Sequence, residues 1–266
     1  MMGQSAPTTA SSAAPFMTSQ SDQAIRFAEN RANWDDRAAL HEASGYGIAE
    51  LLASPGAITR EVARDTELLG DLTGLDVIHL QCHLGLDTIS LSRLGAARVV
   101  GLDLSPESLR RARALAARAG AGIELVEANV YDARAVVTGS FDLVYTTLGV
   151  LCWLPDVEAW ASVIASLLRP GGRLVYATCS LLADENEAQM AWLAHKAGGA
   201  LAAGGAAGAA ERAADPTGSG GAVGAEGVQA TDPAWPAVSL QPVAQRYWLP
   251  QPEGGDVFFM ASWTRA

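Results

Sequence analysis

Asp76-Val77-Ile78-His79-Leu80-Gln81-Cys82-His83-Leu84-Gly85 and Arg98-Val99-Val100-Gly101-Leu102-Asp103-Leu104-Ser105-Pro106 are the stretches that decide the fold. Residues 76–80 are a short apolar run ending at turn residues, the pattern of a buried strand. A turn at Gly85 then opens a helix that continues to about Leu94. Arg98–Leu102 reads as a second strand. After it, Ser105 is placed to cap a helix, Pro106 suits its first turn, and Glu107 complements its positive end. That helix runs to Gly120. Further strands are predicted over Ile123–Val126, Phe141–Tyr145 and Arg173–Thr178, with a helix over about Val157–Leu168 joining the last two. Repeated β-α-β units of this length predict an α/β, Rossmann-like domain with a mostly parallel seven-stranded sheet and helices on both faces.

Outward from this core, residues 23–70 read as an N-terminal helical lid. A helical region over about Ala24–Ala53 carries Asn33-Trp34-Asp35-Asp36-Arg37 and His41, and Ser54-Pro55-Gly56 separates it from a helix over about Ile58–Leu69. Residues 1–22, rich in Ser, Thr, Ala, Gln and Pro, offer little to bury and predict disorder, with Met17 as an alternative start. The core domain extends over 71–196 and includes a helix at Asp184–Lys196. Ala197–Ala237 is Gly- and Ala-rich without apolar periodicity, which predicts a flexible insertion. Within 238–266, Gln245–Leu249 and Val257–Trp263 flank Pro250–Asp256 and predict an antiparallel hairpin that completes the sheet.

An apolar fraction of 49% against 18% charged residues supports a large core in a chain of 266 residues. That length suits one α/β domain with appended segments. The net charge is −11, and Lys196 is the only lysine among 18 basic residues. Such a surface repels phosphate backbones and disfavours nucleic acid as a partner. Cys82, Cys152 and Cys179 lie far apart without metal-ligand spacing, which predicts no metal site and fits a reducing compartment. No apolar run is long enough to span a bilayer, and the first basic residue is Arg26. The expected location is cytoplasmic, without a membrane partner.

In open α/β sheets ligands bind beyond the carboxyl ends of the strands. Three segments fall there. Gly85, within Gln81–Thr88, allows close backbone approach, and the helix after it favours a carboxylate. Asp103 closes the second strand, where a carboxylate accepts both hydroxyls of a ribose. Asn129 and Val130 follow the third strand and suit an adenine edge and face. A nicotinamide cofactor is disfavoured, because Gln81, His83 and Leu86 are too bulky for a Gly-x-Gly-x-x-Gly turn around a pyrophosphate.

Together these segments resemble class I S-adenosylmethionine-dependent methyltransferases. Val77–Gly172 is similar to a small-molecule group within that superfamily, on the strength of residues 79–85, residues 101–106 and Leu151-Cys152-Trp153-Leu154-Pro155. The Asn33-Trp34-Asp35 and Arg37 run fits the same group, whose N-terminal helix closes over the cofactor. The resemblance implies S-adenosylmethionine as cofactor and a small-molecule methyl acceptor. It implies cofactor contacts from Trp34, Gln81, Cys82, His83, Gly85, Asp103, Leu104, Asn129, Val130 and Thr146. The chain departs from the superfamily at Gln81 and His83, which stand where glycine is usual, and at His79, where an acid is common. Candidate bases for an acceptor of high pKa are His41, Tyr46 and His83.

The back half resembles a different branch. Leu174–Ser180, Asp184–Glu187 and Gly255–Ala261 are similar to the end of RNA 5-methylcytosine methyltransferases, where the cysteine of Thr-Cys-Ser attacks the pyrimidine. Cys179 matches that cysteine and is a fourth catalytic candidate. The Asp and Pro-Cys pair which that family carries after its fourth strand are absent, since this strand runs into Thr146-Thr147-Leu148-Gly149. RNA therefore stands as the alternative acceptor, and a cofactor-binding protein without turnover as the other alternative.

Overall fold

A computed structural model describes residues 20–179, 186–196, 240–248 and 258–265. The expectations for residues 1–19 and for the 197–237 insertion lie outside the described residues, whereas residues 20–22, expected to be disordered, form the start of the first helix. Helices α1 (Gln20–Ala43), α2 (Ile48–Ala53) and α3 (Arg60–Leu69) precede the sheet. The core then alternates β1 (Asp76–Leu80), α4 (Leu86–Arg93), β2 (Arg98–Asp103), α5 (Pro106–Ala119) and β3 (Glu124–Glu127). It continues through α6 (Ala133–Val136), β4 (Phe141–Thr146), α7 (Val157–Leu167), β5 (Leu168–Thr178) and α8 (Glu187–Lys196), and closes with β6 (Leu240–Trp248) and β7 (Phe258–Arg265).

The seven strands take the order β3-β2-β1-β4-β5-β7-β6. The first five are parallel, while β7 pairs antiparallel with both β5 and β6. Strand order reverses between β1 and β4, which opens a crevice at their carboxyl ends. The two predicted closing strands pair antiparallel, with the Pro250–Asp256 connection outside the described residues, and β6 starts five residues before the expected Gln245. Pro242 concealed that start: it lies in an edge strand, beside a register shift between Pro242 and Ala244, where the missing N–H is tolerated.

Central strands are buried on both faces, so they read as continuous apolar runs. Ile78, Leu80, Val100 and Val144 pack toward Trp160, Ala161 and Ile164 of α7. Val77, Val99, Leu143 and Tyr145 form the opposite face with Val62, Leu68 and Leu69 of α3. The helical region expected over Ala24–Ala53 is two helices. Gly45, Tyr46 and Gly47 take φ of 89°, 29° and 72°, and three successive positive values cannot continue a right-handed helix. Ser105 caps α5 as its position predicts, accepting from the Ser108 amide at 3.0 Å.

Candidate functional site

The loops after β1, β2, β3 and β4 converge on a cavity of about 670 Å³, roofed by α1 and bordered by α2 and the start of α3. Its volume falls within the roughly 300–1,000 Å³ of small-molecule sites. Trp34, Gln81, Cys82, His83, Asp103, Leu104, Asn129 and Val130 all line it. Gly85 and Thr146 do not. Gly85 begins α4 at φ 69°, and a Cβ there would meet the Ala112 Cβ of α5 at 3.2 Å. Its glycine thus serves helix packing and a left-handed turn. Thr146 is fully buried under the strand end, while the next residue, Thr147, faces the cavity.

Asp103 is nearly buried at the end of β2. Its Oδ2 accepts the His83 amide at 2.7 Å and its Oδ1 accepts the Ser105 amide at 2.8 Å. Burial pushes its pKa up to about 6 against the lowering effect of these bonds. An ionised carboxylate has about four lone-pair sites, so acceptor capacity is left in a residue that lines the cavity. Gln81 and His83, at the positions where glycine is usual, take the left-handed φ that glycine favours, 57° and 50°. Each is held by a side-chain contact: the Trp160 indole donates to Gln81 Oε1 at 3.2 Å, and His83 Nδ1 lies 3.0 Å from Ser108 Oγ. Asn129 spends its Oδ1 capping the turn over Val130–Asp132 by accepting the Tyr131 amide at 3.2 Å. Its amide nitrogen is not used in that cap.

Helix α1 is tied across the cavity by several contacts. Asn30 donates to the Trp153 carbonyl at 2.9 Å. Asp35 Oδ1 accepts the Ser105 hydroxyl at 2.6 Å and the Glu107 amide at 3.2 Å. Trp34 sits edge-on to Trp153 and His83, with ring centroids 5.3 and 5.1 Å apart.

The catalytic candidates separate on geometry. His41 Nδ1 and His83 Nε2 are 2.9 Å apart, so with Ser108 on its Nδ1 both ring nitrogens of His83 are engaged within the protein. Burial, then His41, lowers the His83 pKa to about 4, and burial followed by Arg37 lowers that of His41. These two rings form a neutral tie between α1 and the first loop. Tyr46 lines the cavity and stacks on His41 at 5.0 Å. Burial, with Asp87 and Glu61, raises its pKa, so it keeps its proton near neutrality. Cys179 is exposed just past β5 and does not line the cavity.

Sequence reading assigned no role to Asp87 or Thr147, both of which line the cavity. Glu50, Glu61 and the aromatic ring of Phe27 were also missed. Among the described lining residues, Asp103, Asp87, Glu50 and Glu61 face one guanidinium, Arg60. The electrostatics therefore favour a cation over a pyrophosphate. Asp87 carried a readable signal, an acid in the first turn of the helix that follows β1.

Two family models match, a methyltransferase domain over residues 77–172 and the 16S rRNA methyltransferase RsmB/F model over 157–264. They overlap along α7 and the start of β5, so the two resemblances meet there. The fold and these models together place the chain in the class I S-adenosylmethionine-dependent methyltransferase superfamily. Ubiquinone biosynthesis O-methyltransferase of Xanthomonas euvesicatoria pv. vesicatoria is 38% identical over 108 residues, 41% of this chain and 44% of that protein. The enzyme of the same name from Cronobacter sakazakii is 33% identical over 112 residues, 42% and 45% of the two chains. The chain thus spans less than half the length of these curated relatives. Among solved structures, an S-adenosylmethionine dependent methyltransferase from Mesorhizobium loti is 32% identical, with a TM-score of 0.40 over 45% of this chain and 54% of the other. N-methyltransferase NodS from Bradyrhizobium japonicum WM9, in complex with S-adenosyl-L-homocysteine, is 16% identical, with a TM-score of 0.49 over 82% and 96%. Among the described residues, no helix is long and apolar enough to cross a membrane, and no cluster of ligands suits a metal ion.

Proposed function

We propose that this protein is a cytoplasmic methyltransferase that binds S-adenosylmethionine in the α1-roofed cavity and methylates a small-molecule acceptor. The observation that carries the reading is Asp103, a carboxylate with spare acceptor capacity at the end of β2, in a cavity whose described charges favour a cation. The cofactor supplies a methyl group on a positively charged sulfur. Asp103 would accept the ribose hydroxyls, while Asn129, Leu104 and Val130 frame the adenine. Gln81, Cys82 and His83 would follow the chain between ribose and sulfur, with Trp34 and Trp153 at the mouth. An aromatic face near the sulfonium adds cation–π attraction and keeps water away. Because displacement at the methyl is in line, holding the two reactants in register supplies much of the acceleration. The similarity to O-methyltransferases of ubiquinone biosynthesis supports a small acceptor. Turnover of labelled cofactor against a panel of small phenols, acids and amines tests the reading, and binding without transfer to any acceptor would favour the non-enzymatic alternative.

The match of residues 157–264 to the RsmB/F model favours a second reading, RNA cytosine methylation through Cys179. Against it stand the place of Cys179 outside the cavity and the net charge of −11. Cys179→Ser is expected to keep most of the turnover and to leave RNA containing 5-fluorocytosine untrapped. A covalent protein–RNA adduct that vanishes in Cys179→Ser would establish the second reading instead.

A further inference from the structure

We propose that Asp87 is the carboxylate that holds the α-ammonium of the cofactor's methionine portion, and that buried His79 positions it through Thr147. The inference rests on the S-adenosylmethionine reading above. With the ribose at Asp103 beyond β2, strand order carries the rest of the cofactor across the end of β1 toward β4. Asp87, in the first turn of α4, and Thr147, just past β4, line the wall in that direction.

The Asp87 carboxylate is held by hydroxyls. Thr59 Oγ1 donates to its Oδ1 at 2.6 Å, and the Thr147 hydroxyl in the same wall further favours the ionised form. Burial above all, with the like charges of Glu61 and Asp65 adding to it, pushes its pKa up to about 6. An ammonium ion in the cavity would supply the opposite charge, and the carboxylate retains lone pairs for it. A carboxylate placed there would instead be repelled.

His79 sets the direction of the Thr147 hydroxyl. Its Nε2 is 3.1 Å from Thr147 Oγ1 and its Nδ1 is 2.9 Å from Thr88 Oγ1. Burial lowers the His79 pKa to about 3, so the ring is neutral, with one donor and one acceptor nitrogen. Because an ionised carboxylate only accepts, a Thr147 hydroxyl turned toward Asp87 would donate to it, leaving its oxygen to receive the His79 Nε2–H. The Thr88 hydroxyl then donates to Nδ1. This order of donors would set the tautomer and aim the Thr147 proton at Asp87.

The experiment compares calorimetric affinities for S-adenosylhomocysteine and for 5′-methylthioadenosine, which keeps the adenosine and lacks the amino-acid portion. Asp87→Asn is expected to weaken S-adenosylhomocysteine about 10- to 100-fold and to leave methylthioadenosine within about twofold. Thr147→Val and His79→Leu should show the same selectivity, with losses of about three- to tenfold expected for a misdirected hydrogen bond. His79→Gln, which keeps a side-chain N–H, should recover part of it. If His79→Leu does not fold, Thr147→Val still tests the same link. Equal loss of both ligands in Asp87→Asn, or unchanged affinity for S-adenosylhomocysteine, would overturn the inference alone. An unsubstituted protein that binds neither ligand would overturn the proposed function, and the inference with it.

Discussion

Asp103→Ala is the most direct test of the site. In the free protein the carboxylate accepts the backbone amides of His83 at 2.7 Å and Ser105 at 2.8 Å, and the Leu104 amide also favours its ionised form. With a ribose bound it would accept two hydroxyls as well. Hydrogen bonds to a charged group contribute about 1.5–3 kcal/mol each, so losing the ribose pair costs about 3–6 kcal/mol. At tenfold per 1.4 kcal/mol this is about a 10²- to 10⁴-fold loss of affinity. Removal also strands these amides, so Asp103→Asn, which keeps one oxygen, is the companion variant with the smaller structural effect. Calorimetry with S-adenosylhomocysteine measures the loss, and circular dichroism establishes folding. A folded Asp103→Ala protein with unchanged affinity would refute the ribose assignment. The pH dependence has a definite sign. Burial raises the Asp103 pKa to about 6, above the roughly 3.9 of an unfolded aspartate. In the free protein this destabilises the fold: the penalty is absent below about pH 4, grows through the window and is complete above about pH 6. Ligand binding needs the ionised form, so methylthioadenosine affinity should be level above about pH 6 and fall by up to tenfold per unit below it. Asp103→Asn should flatten that profile.

Three further outcomes follow from packing and from the helical roof. A Cβ at Gly101 would meet Cys82 Sγ and Leu125 Cδ2 at 2.9 Å, so Gly101→Ala should cost about 1–3 kcal/mol in urea unfolding; an unchanged midpoint would contradict that packing. Arg93 donates to the carbonyls of Leu51 and Ala57 at 2.7 and 2.5 Å, tying α2 and the α2–α3 connection to α4. Arg93→Met should lose about 1.5–3 kcal/mol, and unaltered unfolding would show the tie to be dispensable. Because α1 roofs the cavity, S-adenosylhomocysteine should slow amide exchange in α1, and equal exchange with and without ligand would remove α1 from the site.

Much of the core was legible because its signals are local. The apolar run at residues 76–80 and the Ser105-Pro106-Glu107 cap each describe neighbouring residues, and the observed elements begin where they indicate. Strand-end position alone pointed to Asp103 and Asn129, both of which line the cavity. The break at Gly45–Gly47 was harder to read, since a helix reading tolerates isolated glycines and the positive φ of Tyr46 leaves no trace in residue type. Gly85 misled in a different way. Glycine marks a place where something comes close, and here the close neighbour is Ala112 of α5.

The amino-acid sequence by itself determined the alternation of strands and helices, the sign of the charge and the strand ends at which a ligand would sit. Periodicity, composition and turn chemistry act over a few residues, so one chain is enough to read them. Only the tertiary structure decided what surrounds such a ligand. It brought Thr147 to His79 across 68 positions, His83 to His41 across 42 and Asp87 to Thr59 across 28. It also placed Cys179 outside the cavity, although Cys179 directly follows a strand of the same sheet. Hydrogen-bond direction, burial and the resulting pKa depend on which distant groups pack together, and no local pattern in the chain encodes that choice.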